Sequence, residues 1–384
     1  MRKKVLFLCS WYPNKNAPTL GNFVQKHAEA ASLHNDIFVL TTFSHFQKKY
    51  IIEENIGNGL KEVVVYYPKV HMKFFGIKQI IQFYRTNKAL KLGYNRLFST
   101  SSKPDLIHLN QVFPLAFFAL KIGKKNKLPI VITENSTAYH LSGNDLPKWA
   151  LKYAVYCMKK ADLILPVSKD LGHSLKKLNV NVPMEIIPNV VDEQVFGTLV
   201  HKSNEKTVFL HVSTANDNHK NVSGIIRTIK ELSLTTSNFL FIIISDGELT
   251  DFITLAYETL NIPKELLNFE GRKSTAEIAQ IMNRSDVFVL FSNYENLPCV
   301  ILEALTVGIP VISTNVNGVP ECVNESNGIL INPKKEDELY KAMLKFIQKE
   351  VLFDNTAIKK DALSKYSYSS VGLQLDEVYQ KVIK

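Results

Sequence analysis

Two glutamates in one stretch of the chain have a residue type and a setting suited to binding hydroxyl groups. Glu295 and Glu303 lie eight positions apart in SNYENLPCVILEALTVGIPVISTNVNGVPE, residues 292–321. Glu303 has apolar neighbours on both sides, and a carboxylate in such a place is costly unless something pairs with it. Taken alone, Glu303 is more typical of a structural ion pair or a capped core acid, and Glu295 of a solvated loop.

The same stretch predicts a binding place for an anion. A β-rich run ends at Ser292, the chain turns, and Pro298 stands where a helix can begin without losing a hydrogen bond. The helix predicted over 299–307 ends at Gly308. A helix start at the carboxyl end of a strand offers free N–H groups and a positive dipole end, which suit phosphate or carboxylate.

The elements that must position these residues follow from short apolar runs separated by helical patterns. The runs are continuous, so both faces of each strand are covered, which is typical of a parallel sheet between helices. Each half of the chain therefore predicts a doubly wound α/β domain that binds its ligand at the carboxyl ends of its strands. The predicted strands are 4–9, 36–43, 62–67, 105–109, 129–134 and 161–167, then 207–213, 239–244, 286–291, 310–313 and 328–331.

Length and linker composition divide the chain into two domains. With 384 residues, it is too long for one core of ordinary size. The segment 188–206 has the composition of a linker, which places an N-terminal domain over 1–190 and a C-terminal domain over 191–368. The tail 369–384 has an amphipathic helical pattern and is expected to pack back on the N-terminal domain.

The net charge of +10 is unevenly distributed. Residues 1–190 carry +16 and residues 191–384 carry −6. The stretches 63–104 and 146–161 contain no acid and mix basic with aromatic residues. This segregation favours an anionic partner, such as lipid headgroups, nucleic acid or an anionic substrate, over a merely solvated basic surface.

Hydropathy and cysteine use bear on the compartment. No stretch approaches the roughly 18 apolar residues of a membrane span, and the run Val5–Cys9 is too short for a signal peptide. The four cysteines are scattered without metal-binding spacing, so reduced thiols are the simplest interpretation. We therefore expect a cytoplasmic protein that is soluble or peripheral on a membrane.

The stretch with the two glutamates resembles the signature of the retaining nucleotide-sugar glycosyltransferases of family 4, or group 1, which have the GT-B fold. The resemblance implies two Rossmann-like doubly wound domains that face each other across a cleft. It runs along nearly the whole chain. The matching segments are SWYP at 10–13, GNF at 21–23, 161–168, 187–196, HKN at 219–221, SDGE at 245–248, FEG at 269–271, the E-x7-E pattern at 295–303, GIPVI at 308–312 and GVPE at 318–321.

The resemblance implies roles for the residues of the glutamate stretch. Glu303 would bind the ribose hydroxyls of the donor nucleotide, as a buried carboxylate that accepts two O–H donors. Glu295 would hold hydroxyls of the donor sugar. The backbone N–H groups of Asn296 and Leu297 would donate beside it, because Pro298 has none.

Four further residues receive donor-side roles from the same resemblance. Lys220 would lie against the diphosphate and neutralise charge as the leaving group departs. Gly21 would let a loop approach the phosphates closely, because it has no Cβ atom. Gly271 and Arg272 would frame the base.

The chain departs from the family pattern at two places. Where the family has an arginine shortly before the phosphate-binding lysine, this sequence has Ser-Thr-Ala at 213–215, so Arg272 or Lys273 would have to substitute. Where the family has a histidine after the fifth strand, this sequence has Asn135, which can donate to a sugar hydroxyl but cannot act as a base.

Two histidines are further candidates on the acceptor side. His108 and His140 lie near Asn135 in sequence. Each is interpreted first as a structural residue and second as a contact to the acceptor.

The implied reaction is transfer of a hexosyl group from a nucleoside-diphosphate sugar to an acceptor hydroxyl with retention. The resemblance implies an oxocarbenium-like front-face step in which the leaving phosphate takes the acceptor proton. No D-x-D pattern occurs, so no metal ion is expected, and no cofactor beyond the donor. The alternatives are an epimerase-like enzyme on the same fold, which needs acid and base residues in the cleft, and a basic protein that binds nucleic acid or membrane. The second has no need of the two glutamates, so we expect no nucleic-acid partner.

The basic N-terminal half leads to a hypothesis about the acceptor. In this fold the N-terminal domain binds the acceptor, and a polyprenyl-linked saccharide carries phosphate at the inner face of the cell membrane. Each basic residue near an anionic surface contributes about 1 kcal/mol. We therefore expect a cytoplasmic, peripheral enzyme of bacterial surface-polysaccharide assembly. We expect the enzyme to be held reversibly at the membrane by four or five of Lys73, Lys78, Arg85, Lys88, Lys91 and Lys152, with Phe74, Phe75 and Trp149 inserted at headgroup depth.

Overall fold

The computed structural model of the protein describes residues 2–57, 59–71, 75–98, 103–140, 146–198 and 204–383, without the side chain of residue 75. Contacts between residues divide the chain into two compact units. The first is Met1–Val190 with Tyr368–Lys384, and the second is Val191–Ser367.

The first unit is built on a seven-stranded sheet. Its strands are β1 (Lys4–Cys9), β2 (Asp36–His45), β3 (Ile51–Gly57), β4 (Leu60–Pro68), β5 (Leu106–Asn110), β6 (Ile130–Glu134) and β7 (Leu163–Pro166). Its helices within residues 1–190 are α1 (Asn22–Ser32), α2 (Phe75–Phe98), α3 (Ala116–Asn126), α4 (Lys148–Met158) and α5 (Lys169–Lys177). The strand order is β3-β4-β2-β1-β5-β6-β7, and every pair of neighbours is parallel except β3 and β4.

Strand β3 is absent from the predicted strands. Most of its residues are exposed, and it pairs antiparallel with β4 at the edge of the sheet. An edge strand with one solvated face lacks the continuous apolar run that identifies the inner strands.

The second unit is built on a six-stranded sheet that is parallel throughout. Its strands are β8 (Thr207–Ser213), β9 (Phe239–Ser245), β10 (Leu267–Glu270), β11 (Val287–Leu290), β12 (Val311–Thr314) and β13 (Gly328–Ile331). Its helices are α6 (Glu193–Phe196), α7 (Asp217–Lys220), α8 (Val222–Thr235), α9 (Thr250–Ile253), α10 (Thr275–Asn283), α11 (Cys299–Val307), α12 (Glu336–Ile347) and α13 (Asn355–Tyr366). The strand order β10-β9-β8-β11-β12-β13 places β8 and β11 side by side, so the loops after them share one edge of the sheet.

The C-terminal helix α14 (Tyr368–Val382) is part of the first unit. Its apolar face is buried against α1, and a Cβ atom at Gly372 would lie 2.4 Å from the carbonyl oxygen of Ala30. The two helices therefore touch at the backbone. An ion pair of 2.7 Å between Lys3 Nζ and Asp376 Oδ1 adds to this contact. The predicted fold class, two parallel-sheet α/β domains, is confirmed.

The segment predicted as a linker, 188–206, has structure where it is described. It includes helix α6, whose Phe196 side chain is fully buried. Residues 199–203 lie outside the described residues. Throughout the described ranges, no helix is both long enough and apolar enough to cross a membrane.

Candidate active site

The loop between β11 and α11 brings Glu295 to the carboxyl edge of the second sheet. Helix α11 begins after Pro298, which stands at its N-cap and cannot cap the first turn with a side-chain acceptor. Glu295 and Asn296 are 7% exposed, and Leu297 is buried beside them. The loop therefore folds inward, and the alternative interpretation of Glu295 as a solvated loop acid is wrong.

Lys220 and Glu295 form an ion pair. Lys220 ends the short helix α7 after β8, and its Nζ donates to Oε1 of Glu295. The hydroxyl of Ser292 donates to the same carboxylate oxygen over 2.7 Å. Both side chains of the pair are largely shielded from water, so their attraction is screened less than that of a surface pair. An anion that entered here would compete with Glu295 for the lysine.

Three hydrogen bonds fix the loops that carry this pair. The backbone N–H of Asn293 donates to the carbonyl of His219 over 2.7 Å, and its side-chain amide donates to the carbonyl of Asn218 over 2.9 Å. The hydroxyl of Thr314, at the end of β12, donates to the carbonyl of Ser292 over 2.6 Å. The ends of three parallel strands are thus joined into one arrangement that holds Lys220 and Glu295.

Two residues before Ser213, where the stretch without the expected arginine begins, β8 has a buried histidine. His211 in β8 is fully buried, with Nδ1 2.9 Å from the carbonyl oxygen of Val289 and Nε2 2.7 Å from the hydroxyl of Ser213. Burial, with a smaller effect of Lys220, lowers the pKa of His211 to about 4, so the ring is uncharged near neutral pH. Within the described ranges, no group of three or more His, Cys, Asp or Glu side chains is placed to hold a metal ion.

Glu303 lies in the second turn of α11 and is 9% exposed. Cys299 and Val300 precede Glu303 by four and three positions, so they lie on the same side of the helix. They are the two partly exposed residues of α11. The remaining positions of the helix are buried. Glu303 therefore belongs to the face of α11 that is turned least toward the core.

The loop after β10 is open, and it gives weaker support to the base-binding assignment. Gly271 and Arg272 are exposed, and a Cβ atom at Gly271 would meet nothing within 4 Å. No steric reason therefore requires glycine there. Lys273, one of the two possible substitutes for the missing arginine, is paired with Glu270 over 3.0 Å. Arg272 is the substitute whose side chain is exposed.

Gly21 has a structural reason to be glycine. It precedes α1 with a φ of +68°, a backbone conformation that is energetically unfavourable for residues with a Cβ atom. A Cβ atom here would lie 2.5 Å from the carbonyl carbon of Trp11. The residue therefore allows the loop after β1 to pack on the start of α1, and its phosphate role stays a prediction.

His108 is a structural residue. It is fully buried, with Nδ1 2.7 Å from the hydroxyl of Tyr379 and Nε2 2.7 Å from the hydroxyl of Thr133. Burial lowers its pKa to about 3. Because both ring nitrogens are engaged inside the core, the assignment of His108 as an acceptor contact is wrong. The ring instead connects β5, β6 and α14.

Asn135 and His140 lie beyond the end of β6, in different settings. The side-chain carbonyl of Asn135 accepts a hydrogen bond of 2.7 Å from the Nε2 of Gln111, which follows β5. His140 is buried, and its Nδ1 lies 3.1 Å from the hydroxyl of Ser174 and 3.3 Å from a carboxylate oxygen of Asp170. Asn135 thus stands at the carboxyl edge of the first sheet, whereas His140 is held against α5.

Glu134 is a residue that the sequence analysis missed. It ends β6 with no exposure, and its carboxylate accepts from the backbone N–H groups of Val112, Asn135 and Ser136 over 3.2, 3.0 and 3.0 Å. Burial raises the pKa of Glu134 to about 7, against the opposing effect of these hydrogen bonds. Glu134 therefore holds together the loops after β5 and β6. An acid that closes an apolar strand was the signal available in the sequence.

We expect the stability of the protein to fall as the pH rises from about 5 to 8, because of Glu134. Its raised pKa means that the folded protein keeps a proton which the unfolded chain, with the ordinary value of 4.5, has lost. This contribution is complete below the unfolded pKa and disappears as the pH passes the folded pKa, a difference of up to about 3 kcal/mol. Thermal unfolding of the wild type and of Glu134→Gln across this range measures it, with Glu350→Gln as the exposed control. Profiles of Glu134→Gln and wild type that run parallel contradict the expectation.

Two family models match adjoining parts of the chain. The model described as Glycosyltransferase Family 4 matches residues 37–195, and the model described as Glycosyl transferases group 1 matches residues 199–369. The first match ends at residue 195 and the second begins at residue 199, a few residues after Val190, where the two compact units divide.

Curated relatives and solved structures resemble most of the chain. An uncharacterized glycosyltransferase of Methanocaldococcus jannaschii is 27% identical over 85% of this chain and 87% of its own. The UDP-Gal:alpha-D-GlcNAc-diphosphoundecaprenol alpha-1,3-galactosyltransferase of Escherichia coli is 32% identical over 53% of this chain and 55% of its own. The crystal structure of Anabaena HepE in complex with UDP and glucose superposes with a TM-score of 0.71, covering 99% of this chain and 100% of that one at 16% identity. That likeness shows the GT-B fold.

Proposed function

The chain belongs to the group 1 glycosyltransferases of family 4, and from this premise we propose that it transfers a hexosyl group from a nucleoside-diphosphate sugar to an acceptor hydroxyl with retention. The observation that carries the proposal is the Lys220–Glu295 pair beside the start of α11. It provides a cation for a diphosphate and a carboxylate for sugar hydroxyls, beside the positive dipole end of a helix.

Lys220, Glu295 and Glu303 each have a separate role in the proposed reaction. Lys220 turns from Glu295 to the diphosphate and stabilises the negative charge that grows as the bond between the sugar carbon and the phosphate oxygen breaks. Glu295 then holds hydroxyls of the sugar, and Glu303 those of the ribose. The acceptor oxygen bonds to the same face of the sugar carbon, and its proton passes to the departing phosphate. No step in this scheme uses a metal ion.

The two units have different substrates in this proposal. The second unit, with the residues of the pair, binds the donor, and the first unit binds the acceptor. The first unit holds the basic half of the chain, and the E. coli relative uses an acceptor linked to diphosphoundecaprenol. We therefore propose a lipid-linked saccharide as the acceptor and a cytoplasmic, peripheral location on the inner face of the membrane for the synthesis of a surface polysaccharide.

The predicted membrane contacts are placed unequally. Lys88, Lys91 and Lys152 are exposed, as is Trp149. Arg85 is half-buried, and its Nη1 donates to the carbonyls of Pro68 and Lys69 over 2.7 and 3.0 Å, which holds its charge beside the end of β4. Lys73, Phe74 and the side chain of Phe75 lie outside the described residues.

A panel of UDP-, GDP- and ADP-sugars tests the proposal by thermal shift and by product analysis. We expect sugars of one nucleotide to stabilise the protein, by about 2.7 kcal/mol when the ligand is present at 100 times its Kd. The product should keep the anomeric configuration of the donor, and chelator should leave transfer intact. Inversion, a loss of activity that magnesium restores, or the absence of stabilisation by every nucleotide sugar contradicts the proposal.

A further inference from the structure

The first unit contains a large aromatic cavity at the carboxyl end of its sheet. Its volume is about 880 Å³, and it lies among the ends of β1, β2 and β4, the loop after β5, and helices α2, α3 and α4. Eight of its lining residues are aromatic, and none of the described residues that line it is charged. A cavity of this size with an apolar wall is typical of a site for a small molecule or a segment of a larger one.

Uncharged polar residues line part of this mainly apolar cavity. Ser10 lines it, and its hydroxyl donates to the carbonyl of Gln111 over 3.4 Å. Gln111 in turn donates to Asn135, and Phe113, two residues after Gln111, lines the cavity. Gln111 therefore connects the acceptor-side candidate Asn135 to Ser10 at the wall of the cavity. A ligand that used both regions would have a polar part and an apolar part.

The rim of the cavity has large exposed apolar side chains beside the uncharged Gln79 and Gln82, and the helices around it are basic. Ile80 and Trp149 both line the cavity and are 58% and 60% exposed. Helices α2 and α4, which carry these two residues, contain basic residues and no acid. An apolar opening among cations complements a molecule that joins a hydrocarbon chain to phosphate groups.

We propose that this cavity binds the hydrocarbon chain of the acceptor's own lipid carrier, an isoprenoid diphosphate. The inference rests on the proposed function, since it names the acceptor class of the first unit. The cavity has the volume of a small-molecule site, so it takes the segment of the chain nearest the diphosphate. Recognition of the acceptor then combines burial of that segment with attraction of the phosphates to the basic helices.

Prenyl diphosphates of increasing length provide the test. The chain has two tryptophans, Trp11 and Trp149, so the variant Trp11→Phe leaves Trp149, at the cavity, as the single fluorescent reporter. Titrations would use inorganic pyrophosphate and then dimethylallyl, geranyl and farnesyl diphosphate. Each buried CH₂ group raises affinity about fourfold, so we expect at least a tenfold gain for each added five-carbon unit. Equal affinity for pyrophosphate and farnesyl diphosphate overturns the proposal.

Two isoleucines on α2 supply a matched pair of variants in the same background. Ile80 lines the cavity, whereas Ile77, three positions earlier, is 50% exposed and does not line it. Each change to glutamate adds one negative charge to the same helix. We expect Ile80→Glu to weaken farnesyl diphosphate at least tenfold and Ile77→Glu to leave it within about twofold of the parent.

Two other outcomes of this experiment overturn the proposal. One is an equal loss of affinity in both variants, and the other is binding to vesicles of anionic diacyl lipid without binding to any soluble prenyl diphosphate. The titration needs no donor and no turnover. A negative titration therefore contradicts the cavity proposal alone. The proposed function is tested separately by the donor panel, through the second unit.

Discussion

Replacing Lys220 by alanine is expected to lower kcat by about two to three orders of magnitude and to change KM for the donor far less. The reason is that Lys220 stabilises negative charge which develops on the diphosphate only as the sugar leaves, and removing one such donor usually has this effect. Steady-state rates with the donor found in the panel measure it. Lys341, in an exposed ion pair of 3.5 Å with Asp337, supplies the control Lys341→Ala, for which we expect unchanged rates.

A second variant separates the chemistry of Lys220 from its structural contact. Without the lysine, the shielded carboxylate of Glu295 keeps its hydrogen bond from Ser292 but has no ion-pair partner. This unpaired charge lowers the stability of the fold independently of any effect on the reaction. The double variant Lys220→Ala/Glu295→Gln removes that uncompensated charge, and its reference is Glu295→Gln alone, because Glu295 also has a role in the reaction. If Lys220 acts on the diphosphate, the double variant folds well and stays about two to three orders of magnitude slower than Glu295→Gln. Equal activity of the double variant and Glu295→Gln, or a single variant Lys220→Ala within a few-fold of wild type, contradicts the role.

The sequence predicted the inner strands and the glutamate stretch well, because both leave local patterns. Continuous apolar runs such as VFVL in β11 are typical of strands with two covered faces. The family resemblance drawn from the E-x7-E stretch is confirmed by the two family models. Strand β3 left no such pattern, because its place is decided by pairing with β4 and not by its own apolar residues.

The contacts that decide what a polar residue does are long-range, and no local pattern shows them. Lys220 and Glu295 were predicted separately, but their direct contact joins positions 75 residues apart. His108 was a candidate for the acceptor site from its sequence position, but its ring is hydrogen-bonded to Tyr379, which lies 271 positions away. The aromatic cavity could not be predicted for the same reason, since its lining comes from several strands and helices of the first unit.

The change Glu303→Gln is expected to weaken binding of the free nucleoside diphosphate by roughly 10- to 100-fold. A carboxylate accepts hydrogen bonds from two ribose hydroxyls more strongly than a neutral amide does. The two side chains have nearly the same shape, so we expect no large packing defect even though Glu303 is only 9% exposed. Calorimetry with UDP, GDP or ADP, as the panel directs, measures the loss, and the thermal midpoint checks the fold.

Glu295→Gln is the matched control for this measurement, because it makes the same change at the other glutamate of the stretch. The free nucleoside diphosphate carries no sugar for Glu295 to hold, and Glu295 competes with the phosphates for Lys220. We therefore expect Glu295→Gln to keep or raise the affinity for the nucleotide while lowering turnover with the full donor. An equal loss of nucleotide affinity in both variants would place the two glutamates in one shared contact and remove the ribose assignment of Glu303.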